Sequence, residues 1–521
     1  MIQHQFSIPS KIDINKLLRD NITFPNLAAD KAENKLQRYI NDHQDKYAYF
    51  ISKIVETRVF NRSIKNDDYV CLNWEKLRDF LGKRYADEVR ANLLQWNIIQ
   101  CDNHFIRGTK SFGYRIHPSY VSKSILRDIF KVEVMGKKLD AQHKEYVKKY
   151  TRNTTYSNLK KLCIDVDKAI TYVDTKLDTT ISFLYDNIDV LSTTTVEDKM
   201  YSKVCKDISL LSHPTYSLTL VHLLKSKLQR NDNKGLTAFD ILIESAYNQY
   251  DTDVMSISKI KNKQFFLEQP DTESRIYTNL TSLSTDLRQF LYHHSSTEKL
   301  VNLDIRNSQP FIFAAILKDY YKASTVLPED VQEYINLCAV GTIYEEIMNR
   351  LQVEETQRRT FKIKFFANLF FCKNQHSENS KAGKLFMQDF PNVYRVIHEN
   401  KAVNYKYLAI LMQRKEASII LKTISKKLQK QGIYHNTIHD SVIVLESDVE
   451  TVKNLMLEAF TDAIGVAPSI KAEVLAEEKF EASIAPIEMG LLSINYNDFD
   501  DILSIYLLSD EYCYEELLLA S

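Results

Sequence analysis

A helix-rich α+β chain of several domains is what this sequence predicts, and three observations carry the expectation. Glycine accounts for only 10 of 521 residues, far below the roughly 7% of an average protein, which favours long helices with few tight turns. In the second half, short strand-like apolar runs end on polar turns and lead into longer apolar runs of helical character. The length exceeds what one hydrophobic core ordinarily supports, so two or three domains are expected. Lys+Arg and Asp+Glu are both 68, so net charge is silent about partners and only the distribution of charge can speak. The seven cysteines (Cys71, Cys101, Cys163, Cys205, Cys338, Cys372 and Cys513) include no C-x-x-C pair, which argues against both a zinc site and a disulfide framework. No signal peptide and no run of 18 apolar residues is evident, so a soluble cytoplasmic protein is expected.

Residues 1–40 are polar and helical in tendency, broken by Pro9 and Pro25. A helix over 47–59 precedes a short strand at 69–72. Asn73 then caps a helix carrying Trp74, Leu77, Phe80 and Leu81, and a further helix covers 86–96. Two short strands around a Gly108-Thr109-Lys110 tip follow. Helices leading into a β-wing resemble a winged-helix domain, which reads duplex DNA through the helix just before the wing or serves as a protein-docking module. Arg84, Arg90 and Asn92 on the helix, with Arg107, Lys110 and Arg115 on the wing, are the candidate contacts. From 129 to 270 the sequence is helical, and 136–161 holds nine cations (Lys137, Lys138, His143, Lys144, Lys148, Lys149, Arg152, Lys160 and Lys161) against Asp140 and Glu145. That run suits either a solvated helix face or a surface that tracks a phosphate backbone.

The chemistry begins at 301–317. A strand-like run delivers one carboxylate, Asp304, and turns at once into a helix near Pro310. Asp304 and the carbonyl of Ile305 are oxygen donors of the kind Mg²⁺ prefers, although Asp304 alone would also suit a helix N-cap. Downstream, two apolar runs flank His439-Asp440-Ser441, a hairpin whose tip offers a second carboxylate. Between them, Arg358, Lys362, Phe366 and Phe370 recur every four residues and so share a helix face. Cations at a helix N-terminus oppose the macrodipole and invite an anion.

Together these three stretches resemble motifs A, B and C of the family A DNA polymerases and their relatives, the single-subunit phage-type RNA polymerases. Asp304 falls on the first metal-binding Asp, and Gln309 on the family's Glu. Arg358-x-x-x-Lys362-x-x-x-Phe366-x-x-x-Phe370 follows motif B, with Phe371 replacing a family Gly, and His439-Asp440 matches motif C. Ser274-Arg275-Ile276-Tyr277 and Met412-Gln413 resemble the segments that reach the primer–template minor groove. The resemblance implies a right-hand polymerase with an antiparallel palm sheet, helical fingers and a helical thumb. The implied domains are 1–125 winged-helix-like, 126–270 thumb-like, 271–324 palm, 325–430 fingers, 431–487 palm and 488–521 an acidic tail. It further implies two Mg²⁺ ions (Mn²⁺ substituting) held by Asp304, Ile305 and Asp440, with Asp304, Asp440 and Lys362 catalytic. Arg358, Lys362, Phe366, Phe370 and Gln309 would bind the nucleotide, and Arg275, Gln413 and His439 the primer–template. The bulk of Gln309 favours dNTPs, and no exonuclease carboxylate cluster is evident. The alternatives are a single-subunit RNA polymerase and a protein-primed or template-independent polymerase, in replication of a phage or mobile element or in antiviral defence. The 488–521 tail has eight acids and no Lys or Arg, which suits a docking segment for a protein partner.

Overall fold

The computed structural model describes residues 3–60, 69–106, 108–150, 152–192, 237–355 and 358–476. The expectations for Arg107, for Cys205 and Cys513, and for the 488–521 tail lie outside the described residues. The architecture is helix-rich α+β with small antiparallel sheets. Among the described residues, Cys71, Cys101, Cys163, Cys338 and Cys372 are free thiols, and no helix is long and apolar enough to cross a membrane.

The chain divides into two units, one formed by 1–149 and 166–264 and the other by 150–165 and 265–480. The stretch 126–270, expected to be thumb-like, has residues in both units. Its basic run is shared out: the Lys137–Lys148 helix belongs to the first unit, and Arg152, Lys160 and Lys161 to the second.

In the first unit, β1 (Gln5–Pro9) replaces the helical character expected there. It pairs antiparallel with β5 (Ser124–Asp128), from Gln5 opposite Asp128 to Pro9 opposite Ser124. Between them run the long Ala29–Phe60 helix, β2 (Val70–Cys71), the Trp74–Leu81 and Lys83–Gln95 helices, β3 (Ile99–Cys101) and β4 (Gly113–Ile116). The sheet is ordered β2–β4–β3. Asn73 caps its helix as expected, accepting from the Lys76 N–H at 3.0 Å. Gly82, at φ 90°, takes the left-handed turn that separates the two short helices, a conformation costly for residues with a Cβ. Tyr47, Phe50, Val70, Leu77, Val89, Leu93 and Tyr114 are in the core they share.

Several candidate contacts on this unit are already occupied. Arg90 donates to the Tyr114 hydroxyl at 2.7 Å and lies over the Trp74, Phe112 and Tyr114 rings. Asn92 donates to the Tyr47 hydroxyl, Arg115 to Gln100, and Lys110 pairs with Asp102 at 2.9 Å. Arg84 at the helix start stays exposed.

The second unit opens on the Thr154–Lys160 helix and β6 (Leu162–Ile164), then β7 (Leu267–Glu268), β8 (Tyr277–Thr278) and β9 (Leu291–His293), which pairs with β6. Its main sheet has four antiparallel strands in the order β11–β12–β10–β13, where β10 is Leu300–Ile305, β11 His435–Ile438, β12 Ser441–Leu445 and β13 Ile470–Leu475. Residues of this sheet and of helices between 308 and 464 share one continuous apolar core, from Leu303 and Phe311 through Tyr334, Phe365 and Phe386 to Val442 and Phe460. Residues 416–431 are the end of a longer helical run. It starts at Tyr407, passes through a π-helical stretch at Ser418–Ser425 and finishes at Gln431.

Candidate active site

Strand β10 is the middle of the site. It pairs with β12 from Leu300 opposite Leu445 to Leu303 opposite Val442, and with β13 from Leu300 opposite Leu475 to Ile305 opposite Ile470. The β11–β12 hairpin closes at Ile438 opposite Ser441, leaving His439 and Asp440 as a two-residue turn. A turn this short needs positive φ, which His439 supplies at 51°. Extending the β10–β12 register by one step places Asp304 beside Ser441, and therefore the hairpin tip beside the end of β10.

Two carboxylates converge there. Burial, then the charge of Asp440, push the Asp304 carboxyl up to about 7, against the pull of Lys362, Lys471 and an N–H donated by Ile305. Asp304 is not a helix cap. Asn307, in the left-handed region at φ 53°, is the N-cap residue of the Ser308–Tyr320 helix, and its side chain makes no capping bond. That helix follows the strand after only two intervening residues and is buried from Gln309 to Leu317.

The Arg358–Leu369 helix brings Lys362 to the same place. Burial holds the Lys362 ammonium below its usual value, while Asp440 and Asp304 draw it back up. Arg358, nearer the helix start, bonds Glu345 at 2.6 Å, and both cations lie over the ring of buried Tyr344, at 5.8 and 5.5 Å.

Phe366 and Phe370, expected to bind the nucleotide, lie in the apolar core. They are 1% and 0% exposed, and Phe370 packs on Phe313, Phe365 and Phe366. The helix and the turn after it carry apolar residues at 361, 365, 366, 369 and 370, so the four-residue spacing did not reveal which face the core would claim.

Arg275, expected at the primer–template, is buried against an acid. The residue is 3% exposed, and its guanidinium grips the fully buried Glu416 through Nε at 2.8 Å and Nη2 at 2.7 Å. Gln309 donates Nε2 to the same carboxylate at 2.8 Å. Burial raises the Glu416 carboxyl and Arg275 opposes that rise. Gln413 is half-buried on the Tyr407–Ala417 helix, and His439 makes an edge contact with Tyr277 at 6.2 Å.

Sequence reasoning missed Glu416, Lys471 and Tyr344. Glu416 was findable, because Leu408, Met412 and Glu416 are spaced by four on one buried stripe, and an acid there demands a cationic partner. Lys471 pairs across the sheet with Asp304, and nothing local marks it.

The donor set suits a hard divalent cation: two carboxylates and the Ile305 carbonyl, with the crowding of Asp304 and Asp440 as the physical reason to bind one. Among the described residues no cluster of three or more His, Cys, Asp or Glu side chains is arranged for a metal. The remaining ligands of such an ion would therefore be backbone, water or substrate oxygens.

No family model and no curated protein matches this chain. Among solved structures, the chain is similar to the POL domain of Pol1 from M. smegmatis in complex with DNA primer-template and dNTP. Identity is 10% and the TM-score 0.37, over 62% of this chain and 68% of that one. The reading of the site accordingly rests on its own residues.

Proposed function

We propose that this chain is a template-directed nucleotidyltransferase, a DNA polymerase that extends a 3′-hydroxyl with dNTPs by two-metal catalysis and lacks a proofreading exonuclease. The observation that carries the reading is the meeting of Asp304 and Asp440, from distant parts of the chain, at one sheet end faced by Lys362. Mg²⁺ held by Asp304, Asp440 and the Ile305 carbonyl would supply the positive charge that activates the attacking hydroxyl and neutralises the leaving pyrophosphate. Arg358 and Lys362 bind the phosphates. Lys362, with its proton loosened by burial, donates to the leaving pyrophosphate. His439 braces the primer-terminal phosphate, and Gln413 reads a minor-groove acceptor common to all base pairs.

Gln309 supports deoxynucleotides, because Glu416 pins its side chain a few residues after Asp304 and its bulk stays beside the site. Ser441 is occupied by the hairpin itself, donating to the Ile438 carbonyl at 3.0 Å. We read the helix–strand–helix–helix–hairpin order of 29–116 as a winged-helix-like module, and the 488–521 tail as a segment that docks a protein partner. Primer extension on DNA and RNA templates, each with dNTPs and with rNTPs, tests the reading. Incorporation of dNTPs on a primed template is expected. Incorporation of rNTPs alone would replace the DNA polymerase reading with an RNA polymerase, and no incorporation in any arm would remove the nucleotidyl-transfer reading.

A further inference from the structure

The last carbonyls of a helix have no intrahelical donor and must be satisfied from elsewhere. At the C-terminus of the Arg358–Leu369 helix the Phe366 carbonyl takes the backbone N–H groups of Phe370 and Phe371. The Asn368 carbonyl accepts from Ser380 Oγ at 2.9 Å. The Leu369 carbonyl accepts from an ammonium, Lys401 Nζ, at 2.6 Å.

Lys401 is an unusual residue in that place. It is only 3% exposed, and among the described residues no carboxylate lies within ion-pair distance of its Nζ. Its second contact is Ser377 Oγ at 3.4 Å, itself fully buried and bonded to Asn374 O and the Tyr394 hydroxyl. Burial lowers the amine to about 8, with the neighbouring Cys372 and Glu378 pulling the other way. A buried cation without a carboxylate is costly, and the negative end of a helix dipole is one of the few things that compensates it. The helix it caps carries cations at its other end, Arg358 and Lys362. Lys362 lies seven residues before Leu369, or roughly 10 Å at the helical rise, so a shift of one end moves the other.

We infer that Lys401 is a positioning residue for the reaction: its ammonium anchors the C-terminus of the Arg358–Leu369 helix and so fixes where Lys362 and Arg358 meet the nucleotide. This rests on the nucleotidyl-transfer reading and adds a residue that no motif contains. A misplacement of about 1 Å can cost about 10²-fold, and freeing one hydrogen bond at a helix end displaces less.

The test is steady-state single-nucleotide incorporation by the full chain with Lys401→Met and Lys401→Arg, which separate loss of charge from loss of bulk. Lys401→Met is expected to raise the nucleotide KM about tenfold, with kcat falling less and primer–template affinity unmoved. Lys401→Arg, which can still donate to the Leu369 carbonyl, is expected to recover most of that KM. Where Lys401→Met does not fold, Ser377→Ala, which removes one partner of the ammonium, should raise KM in the same direction by a smaller factor. A Lys401→Met enzyme with wild-type KM overturns the inference, as does Ser377→Ala with wild-type KM when Lys401→Met cannot be folded. A wild-type chain that incorporates nothing overturns the nucleotidyl-transfer reading and this inference with it. Wild-type incorporation with an unmoved KM in the variants overturns this inference alone.

Discussion

Replacing Asp304 with Asn should stabilise the protein while abolishing its activity. The Asp304 carboxyl is pushed up to about 7 from an ordinary 3.8, so in the folded state the protonated form is favoured. Stability is therefore full below the unfolded value near 3.8, is lost as pH rises towards about 7, and is level above it. At about 1.4 kcal/mol per tenfold change in proton concentration, the cost at pH 8 is at most about 4 kcal/mol. Asp304 is partly exposed, and solvent screening reduces this to about 1–2 kcal/mol. Asparagine removes the charge at nearly constant volume, so at pH 8 without divalent ions the variant should melt about 4 °C above wild type. Near pH 4 the two should coincide. Mg²⁺ should raise the wild-type melting temperature and leave the variant's unchanged, because a ligand that binds only the folded state stabilises it. Calorimetry or circular dichroism at both pH values, paired with single-nucleotide incorporation, measures all of this. A variant no more stable than wild type at pH 8, or one that still incorporates nucleotides, would refute the reasoning.

Three further outcomes follow from the buried groups. Arg275→Met leaves the Glu416 carboxylate buried without its cation and should cost about 3–5 kcal/mol in denaturant unfolding; an unchanged unfolding midpoint would return Arg275 to the primer–template surface. Phe370→Ala should cost about 3–5 kcal/mol as a cavity in the core, with the folded fraction keeping a wild-type nucleotide KM; the reverse pattern would mean the ring stacks on substrate. Ser124 donates to buried Asp251 through its N–H at 2.7 Å and Oγ at 2.6 Å, and burial pushes that carboxyl up to about 7. Ser124→Ala should therefore cost about 1–3 kcal/mol, more at pH 8 than at pH 5, because the ionised form most needs the lost donor. An equal cost at both pH values would show that Asp251 does not titrate in this range.

The second unit was more legible in the sequence than the first. The strand carrying Asp304, the hairpin tipped by Asp440 and the helix carrying Arg358 and Lys362 each announce themselves by local periodicity, and the structure forms all three. The pairing of β1 with β5 was not legible, since its partners lie 115 or more residues apart and five residues carry little pattern. The described helices of 126–270 are divided between the two units, a tertiary choice that composition does not record. Arg275 and Phe370 show the same limit. Residue type suggested contact with nucleic acid and nucleotide, whereas a buried acid on the Tyr407–Ala417 helix and an apolar core hold them in this structure.

The central claim is that Asp304 and Asp440 together drive nucleotidyl transfer. Single-turnover incorporation of one dNTP onto a primed DNA template by the Asp440→Asn chain, at saturating Mg²⁺ and with the fold checked by hydrogen exchange, tests it most directly. The expected result is a native exchange pattern and a rate at least about 10³-fold below wild type, given the several kcal/mol a metal-held charge supplies. A native exchange pattern with synthesis near the wild-type rate would contradict it.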